Sequence, residues 1–151
     1  MEKINWKIAT FYELSNDELF DVFALRTAIF VVEQDCPYQE VDETDKIAFH
    51  LLGIINKELV AVARIVPPSQ PKNEVKIGRV AVKKDFRRQK IADKMMEQCF
   101  RFIEQQWEKL PIAISAQQYL IDFYANHNFK VEGEGYLEDG IPHVRMVRGI
   151  G

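Results

Sequence analysis

The chain has 151 residues, 47% of them hydrophobic, which is ample for one buried core and gives no reason to expect a second domain beside a single one spanning 1–151. With 20 Lys+Arg against 23 Asp+Glu, the formal charge of −3 excludes the broad basic surface of a general nucleic-acid binder. The first twenty residues hold no apolar run fit for a secretory signal, and no stretch is long enough to span a membrane, so a cytoplasmic location without membrane contact is expected.

In chain order, Trp6 to Phe11 reads as an opening strand. Ser15 and Glu18 form a capping box, which predicts a helix whose apolar face, Leu19, Phe20, Phe23, Ile29 and Phe30, runs to about residue 30. Arg26 is the lone charge in its middle, read as a buried ion-pair partner in preference to a ligand contact. From Glu33 to Asp45, six carboxylates fall within thirteen residues with no cation among them. Such crowding is unfavourable unless positive charge relieves it. A solvated acidic loop and a mouth that attracts a cationic amine both fit, whereas a calcium loop lacks its glycine and terminal Glu.

Ile47 to Ile55 and Leu59 to Val66 are apolar strands separated by Asn56-Lys57-Glu58, so an antiparallel hairpin is predicted, with Pro67 to Pro71 ending the second strand. Val75 to Val82 reads as a further strand. After it, Ile91, Met95, Cys99, Phe102 and Ile103 recur at helical spacing. Cys99 lies on that stripe as a small apolar residue, and Cys36, beside Pro37, is expected as a partly buried loop residue. Two cysteines are too few for a disulfide framework, and without CxxC spacing no metal is expected. Then come a short strand, Ile112 to Ser115, and a helix carrying Leu120, Ile121, Phe123 and Tyr124 that ends at Asn128. Phe129 to Glu132 leads to Tyr136 and a closing hairpin around Glu138-Asp139-Gly140. Together these predict a mixed α/β or α+β domain with one sheet.

The turn Lys83 to Lys90 holds five cations and one anion immediately before a helix. A helix start carries unpaired N–H groups and the positive end of the macrodipole, so cations there are repelled unless an anion lies on them. A phosphate or diphosphate resolves the conflict. Cations fanning into water are the alternative.

The turn Arg87-Arg88-Gln89-Lys90-Ile91-Ala92 resembles the Arg/Gln-x-x-Gly-x-Gly/Ala signature of the GNAT superfamily of N-acetyltransferases, with Lys90 in place of the first glycine. Phe30-Val31-Val32-Glu33-Gln34 with Cys36-Pro37-Tyr38, Phe123-Tyr124 with Asn128-Phe129, and Glu138 to His143 are similar to its ElaA-type branch. The resemblance covers nearly the whole chain. It implies a central, strongly bent mixed sheet, flanked by helices and splayed to admit coenzyme A. The diphosphate would lie on residues 87–92, Gln117 would join the cofactor contacts, and the backbone of Val80, Ala81 and Val82 would pair with the pantetheine arm. The amide of Val80 or Val82 would be the oxyanion donor.

The implied reaction moves an acetyl group from acetyl-coenzyme A directly to a primary amine of a small molecule or peptide. An alkyl ammonium has a pKa of about 10.4, so one group must remove a proton, and another donates one to the departing thiolate. Tyr124 matches the acid. Glu33, His50, Glu40 and His143 are the candidate bases, although His50 and His143 are equally readable as structural. A homodimer is allowed but not read from the sequence. The rival reading is a non-catalytic module that binds coenzyme A or another phosphorylated ligand and acts through a protein partner. A doubly wound nucleotide-binding domain is disfavoured, because no Gly-rich fingerprint follows the first strand.

Overall fold

The computed structural model describes residues 3–149. β1, Asn5–Thr10, is followed by α1, Asn16–Arg26, whose start is capped as expected. Ser15 Oγ accepts from the Glu18 amide at 3.1 Å, and a Glu18 carboxylate oxygen accepts from the Ser15 amide at 2.9 Å. The predicted continuation to residue 30 differs in winding, because Thr27–Glu33 is a π-helical segment. A continuous apolar run carries no period that separates a four-residue step from a five-residue one, so the change is invisible in sequence. A short helix that the sequence does not signal, α2, Thr44–Ile47, closes the acidic stretch.

β2, Phe49–Ile55, and β3, Glu58–Ser69, form the predicted hairpin. Asn56 and Lys57 both take positive φ, 48° and 66°, as a tight turn matching strand twist requires. β3 runs through Pro67 and Pro68, beyond its expected end. Pairing with β4, Glu74–Val82, passes from Val66↔Lys76 directly to Ser69↔Glu74, so both prolines sit in an irregularity of the ladder.

A 3-10 turn, Lys84–Phe86, leads toward α3, Ile91–Gln106. β5, Ile112–Gln117, is two residues longer than predicted and passes through a 3-10 turn into α4, Ile121–Ala125. β6, Phe129–Val131, β7, Tyr136–Glu138, and β8, Ile141–Arg148, finish the sheet. Its order is β1-β2-β3-β4-β5-β8-β6, with β7 also on β8, and β4–β5 is parallel while every other pairing is antiparallel.

Helices cover both faces. Ile91, Met95, Met96, Cys99, Phe100 and Ile103 of α3 are buried against Leu51, Ile65, Val75 and Ile77, while Phe102 of the predicted stripe lies at its edge. On the other face Val22 of α1 packs with Ala9, Leu52, Val62 and Ala81. The feature that creates a site is the junction of β4 and β5. They pair at Val75↔Ile112 and Lys76↔Ala113, and no further β4–β5 pair occurs among the described residues. Toward β3 the register moves from Arg64↔Gly78 to Val62↔Ala81, so β4 carries one extra residue, with Arg79 at φ 50°. Such a bulge bends its strand and strengthens the local twist, here where β4 parts from β5.

Candidate active site

Three adjoining cavities follow the gap between β4 and β5. The first, of about 490 Å³, is lined by Val80, Ala81 and Val82 on β4 and by Arg87, Arg88, Lys90, Ile91 and Ala92 around the start of α3. Gln117 and Tyr119 close it from the β5 side. The second, a neck of about 90 Å³, shares Phe30, Gln34, Val80, Gln117, Leu120 and Tyr124 with the first. The third, again about 490 Å³, shares Gly78, Arg79, Ile114, Ser115 and Glu138 with the neck. A path therefore runs through the sheet from a basic helix start to its far face.

The first cavity suits an extended molecule ending in phosphates. Beyond Lys76, β4 offers an edge without a strand partner on the β5 side. Lys90 precedes α3 at φ 61° with no side-chain cap, so the first N–H groups of the helix lack a side-chain acceptor. Arg88, at φ 66°, and Lys90 bring positive charge to that end. These features fit coenzyme A: the diphosphate on Arg88, Lys90 and the amides of Ile91 and Ala92, and the pantetheine arm along Val80 to Val82.

Two expected cofactor contacts stand differently. Gln89 is not among the residues lining this cavity. Arg87 lines it but is already engaged, with Nε donating to the Val82 carbonyl at 2.8 Å and Nη1 and Nη2 donating to Glu33 at 2.8 and 3.0 Å. The Arg87 hydrogen bonds hold the Glu33 carboxyl below its usual range.

Tyr124 stands at the junction of the first cavity and the neck, 4% exposed. Burial pushes its hydroxyl well above the ordinary tyrosine value, so it stays protonated. In the neck, His143 Nδ1–H donates to the Ile141 carbonyl at 2.7 Å, which leaves Nε2 facing Glu138 Oε2 at 3.5 Å. Ser115 Oγ donates to Glu138 at 3.1 Å and is hydrogen-bonded to the Tyr136 hydroxyl. Cys36 is buried at the neck wall, its thiol donating to the Asp139 carbonyl at 3.2 Å.

The remaining candidate bases, His50 and Glu40, line none of the three cavities. His50 is 1% exposed and is bonded through Nε2 to the Asp45 carbonyl at 2.8 Å. Burial lowers its pKa, so it remains a neutral core histidine. Glu40 is buried beside Arg26, whose Nε lies 3.1 and 3.0 Å from its two oxygens. Arg26 also holds Asp45 at 2.7 Å, which makes it the buried ion-pair partner read from the sequence. Arg64 joins Asp42 at 2.9 Å and Asp45 at 3.1 Å, and Arg79 lies 2.5 Å from Glu40. The acidic stretch is thus divided: Glu40 and Asp45 are buried among three arginines, which leaves no open anionic mouth there, while Glu33, Asp35, Asp42 and Glu43 are exposed as in a solvated loop.

A family model described as an acetyltransferase (GNAT) domain matches residues 13–149. This chain belongs to the GNAT acetyltransferase family. Within it the ElaA-type branch is indicated by Escherichia coli ElaA, 39% identical over 149 residues and 97% of each chain. The crystal structure of that protein superposes with a TM-score of 0.91 at 38% identity, covering 97% of this chain and 99% of the other. An acyl-CoA N-acyltransferase from Pseudomonas aeruginosa gives 0.93 at 36% identity, covering 97% and 100%. GNAT membership supports acyl-coenzyme A as co-substrate and acyl transfer to nitrogen as the general activity. For a GNAT domain the bent sheet and parted β4 and β5 are the expected frame. Among the described residues, no helix is long and apolar enough to cross a membrane.

The sequence reading of this GNAT site missed Ser115, Tyr136 and Glu138. Glu138 reads in sequence as a residue of the closing turn, yet its signal is present: it opens the Glu138 to His143 block that is similar to the ElaA-type branch.

Proposed function

We propose that the protein transfers an acetyl group from acetyl-coenzyme A directly to a primary amine of a small molecule or peptide. The observation that carries this reading is the position of Tyr124, which borders both the cofactor-side cavity and the neck. Bound acetyl-coenzyme A supplies the acyl group as a thioester. Transfer exchanges one C–S bond for one C–N bond; the acceptor ammonium loses two protons in becoming an amide, one before attack and one as the C–S bond breaks, and sulfur gains one. Tyr124, kept protonated by burial, gives its proton to sulfur and is restored, directly or through water, by the second proton lost from nitrogen. His143 Nε2 takes the ammonium proton, and the Glu138 carboxylate 3.5 Å away stabilises the imidazolium. Glu33 is the weaker choice of base, since it borders the cofactor-side cavity but not the neck and is held as a carboxylate by Arg87. We assign the oxyanion donor to the amide of Val80 or Val82, on the free edge of β4.

The test is thiol release from acetyl-coenzyme A with a panel of amines, alongside calorimetric binding of the cofactor. Turnover with at least one amine is expected. Cofactor binding with no thiol release from any amine would sink the reading in favour of a non-catalytic module.

A further inference from the structure

The third cavity is walled by cations, and this bears on what kind of amine reaches the neck. Arg64, Lys76, Arg79 and Arg145 line it, against a single lining carboxylate, Glu138. The acids that neutralise three of those cations stand outside the wall. Asp42 and Asp45 hold Arg64, Glu40 holds Arg79, and Glu74 grips Arg145 at 2.7 and 2.6 Å, and none of these four acids lines the cavity. The residues that wall the space are therefore mainly cationic, although three of the four are held by acids behind them. One of the cations is not engaged in this way: Lys76 is exposed with no ion pair among the described residues.

A cleft lined mainly by one sign of charge concentrates ligands of the other sign. The neck shares Arg79, Ser115 and Glu138 with this cavity, so a molecule whose amine lies in the neck extends its other end toward the cations. A polyamine would place a second ammonium there and be repelled. We propose that the acceptor is an amine that also carries an anionic group, a carboxylate or a phosphate, received by Lys76 on the wall it shares with Arg64 and Arg79. The assignment rests on the acyltransfer reading for the amine end only, and it reverses the cationic acceptor suggested by the acidic stretch.

Matched pairs test it: phenylalanine against 2-phenylethylamine, and phosphoethanolamine against ethanolamine. Each is titrated calorimetrically into the full chain saturated with coenzyme A, and each is assayed for thiol release with acetyl-coenzyme A. In at least one pair the anionic member should bind about tenfold more tightly or better, the effect of one or two charge-assisted hydrogen bonds. Lys76→Glu, a change at an exposed side chain without an ion pair among the described residues, should abolish the preference. The responding pair identifies carboxylate or phosphate. Equal or reversed affinity in both pairs, no binding by any of the four, or a preference untouched by Lys76→Glu overturns the inference. Selective anion binding without thiol release would leave it standing and count against acyl transfer, whereas release from uncharged amines with no preference would do the opposite.

Discussion

Glu33 and Arg87, fifty-four residues apart, meet at the rim of the cofactor-side cavity in a two-pronged contact of 2.8 and 3.0 Å. The pair joins the π-helical segment to the basic turn and withholds from the cavity a cation that the sequence reading assigns to the diphosphate. Both side chains are more than a third exposed, so their attraction contributes no more than about 1 kcal/mol. Removing the carboxylate releases Arg87. Glu33→Gln is therefore expected to tighten coenzyme A binding by up to about fivefold, the equivalent of that energy, with kcat nearly unchanged. If Glu33 were the general base, kcat would instead fall by roughly 10²-fold or more.

Tyr124→Phe separates chemistry from binding. The phenol has no hydrogen-bond partner among the described residues, so its loss should cost little stability. Turnover should fall roughly 10²-fold to 10⁴-fold, the range for one acid–base group, while calorimetric affinity for coenzyme A stays the same. A variant that retains wild-type kcat would remove Tyr124 from the mechanism.

Local chemistry was legible in the sequence, and contacts between distant segments were not. Ser15 with Glu18 marked the start of α1, Asn56-Lys57 the hairpin, and Ile91 to Ile103 the buried face of α3, because each signal lies within a few residues of what it shapes. The fate of the acidic stretch depended on Arg26, Arg64 and Arg79, which come from a helix and two strands and meet it only in the fold. A partial signal existed, since Arg64 and Arg79 interrupt apolar strands much as Arg26 interrupts its helix face. The basic turn was readable as an anion site, but the diversion of Arg87 to Glu33 was not.

Lys90 holds a left-handed conformation that favours glycine, at φ 61°. Lys90→Gly and Lys90→Ala remove the same charge but differ in backbone. Ala keeps the strain and Gly relieves it, so the Gly variant should be the more stable of the two by about 1 kcal/mol in urea unfolding. Both should weaken coenzyme A binding, and both should flatten its salt dependence by a similar amount. Identical stabilities would mean that the turn relaxes around Ala. Unaltered cofactor affinity in both would exclude Lys90 from the diphosphate contact.

Asp45 offers a test of what the arginine cluster contributes to the fold. Burial pushes its carboxyl up, but the hydrogen bonds and charge of Arg26, helped by the Asp42 amide and Arg64, outweigh burial and bring it from 3.8 down to about 2. A carboxyl whose folded pKa is depressed adds stability that is complete above the unfolded value and disappears as pH falls through the folded one. The contribution is about 2 kcal/mol, present above roughly pH 5 and lost toward pH 2. Asp45→Asn leaves Arg26 and Arg64 short of a counter-charge in a buried setting, at a cost of about 3–5 kcal/mol at neutral pH. Urea unfolding of both proteins at several pH values should show the gap between them narrowing by about 2 kcal/mol on acidification, because the wild-type carboxylate becomes protonated while the amide does not change. A gap constant from neutral to acid pH would mean that Asp45 is not held ionised by Arg26, and the cluster would then owe its stability to packing around the guanidinium.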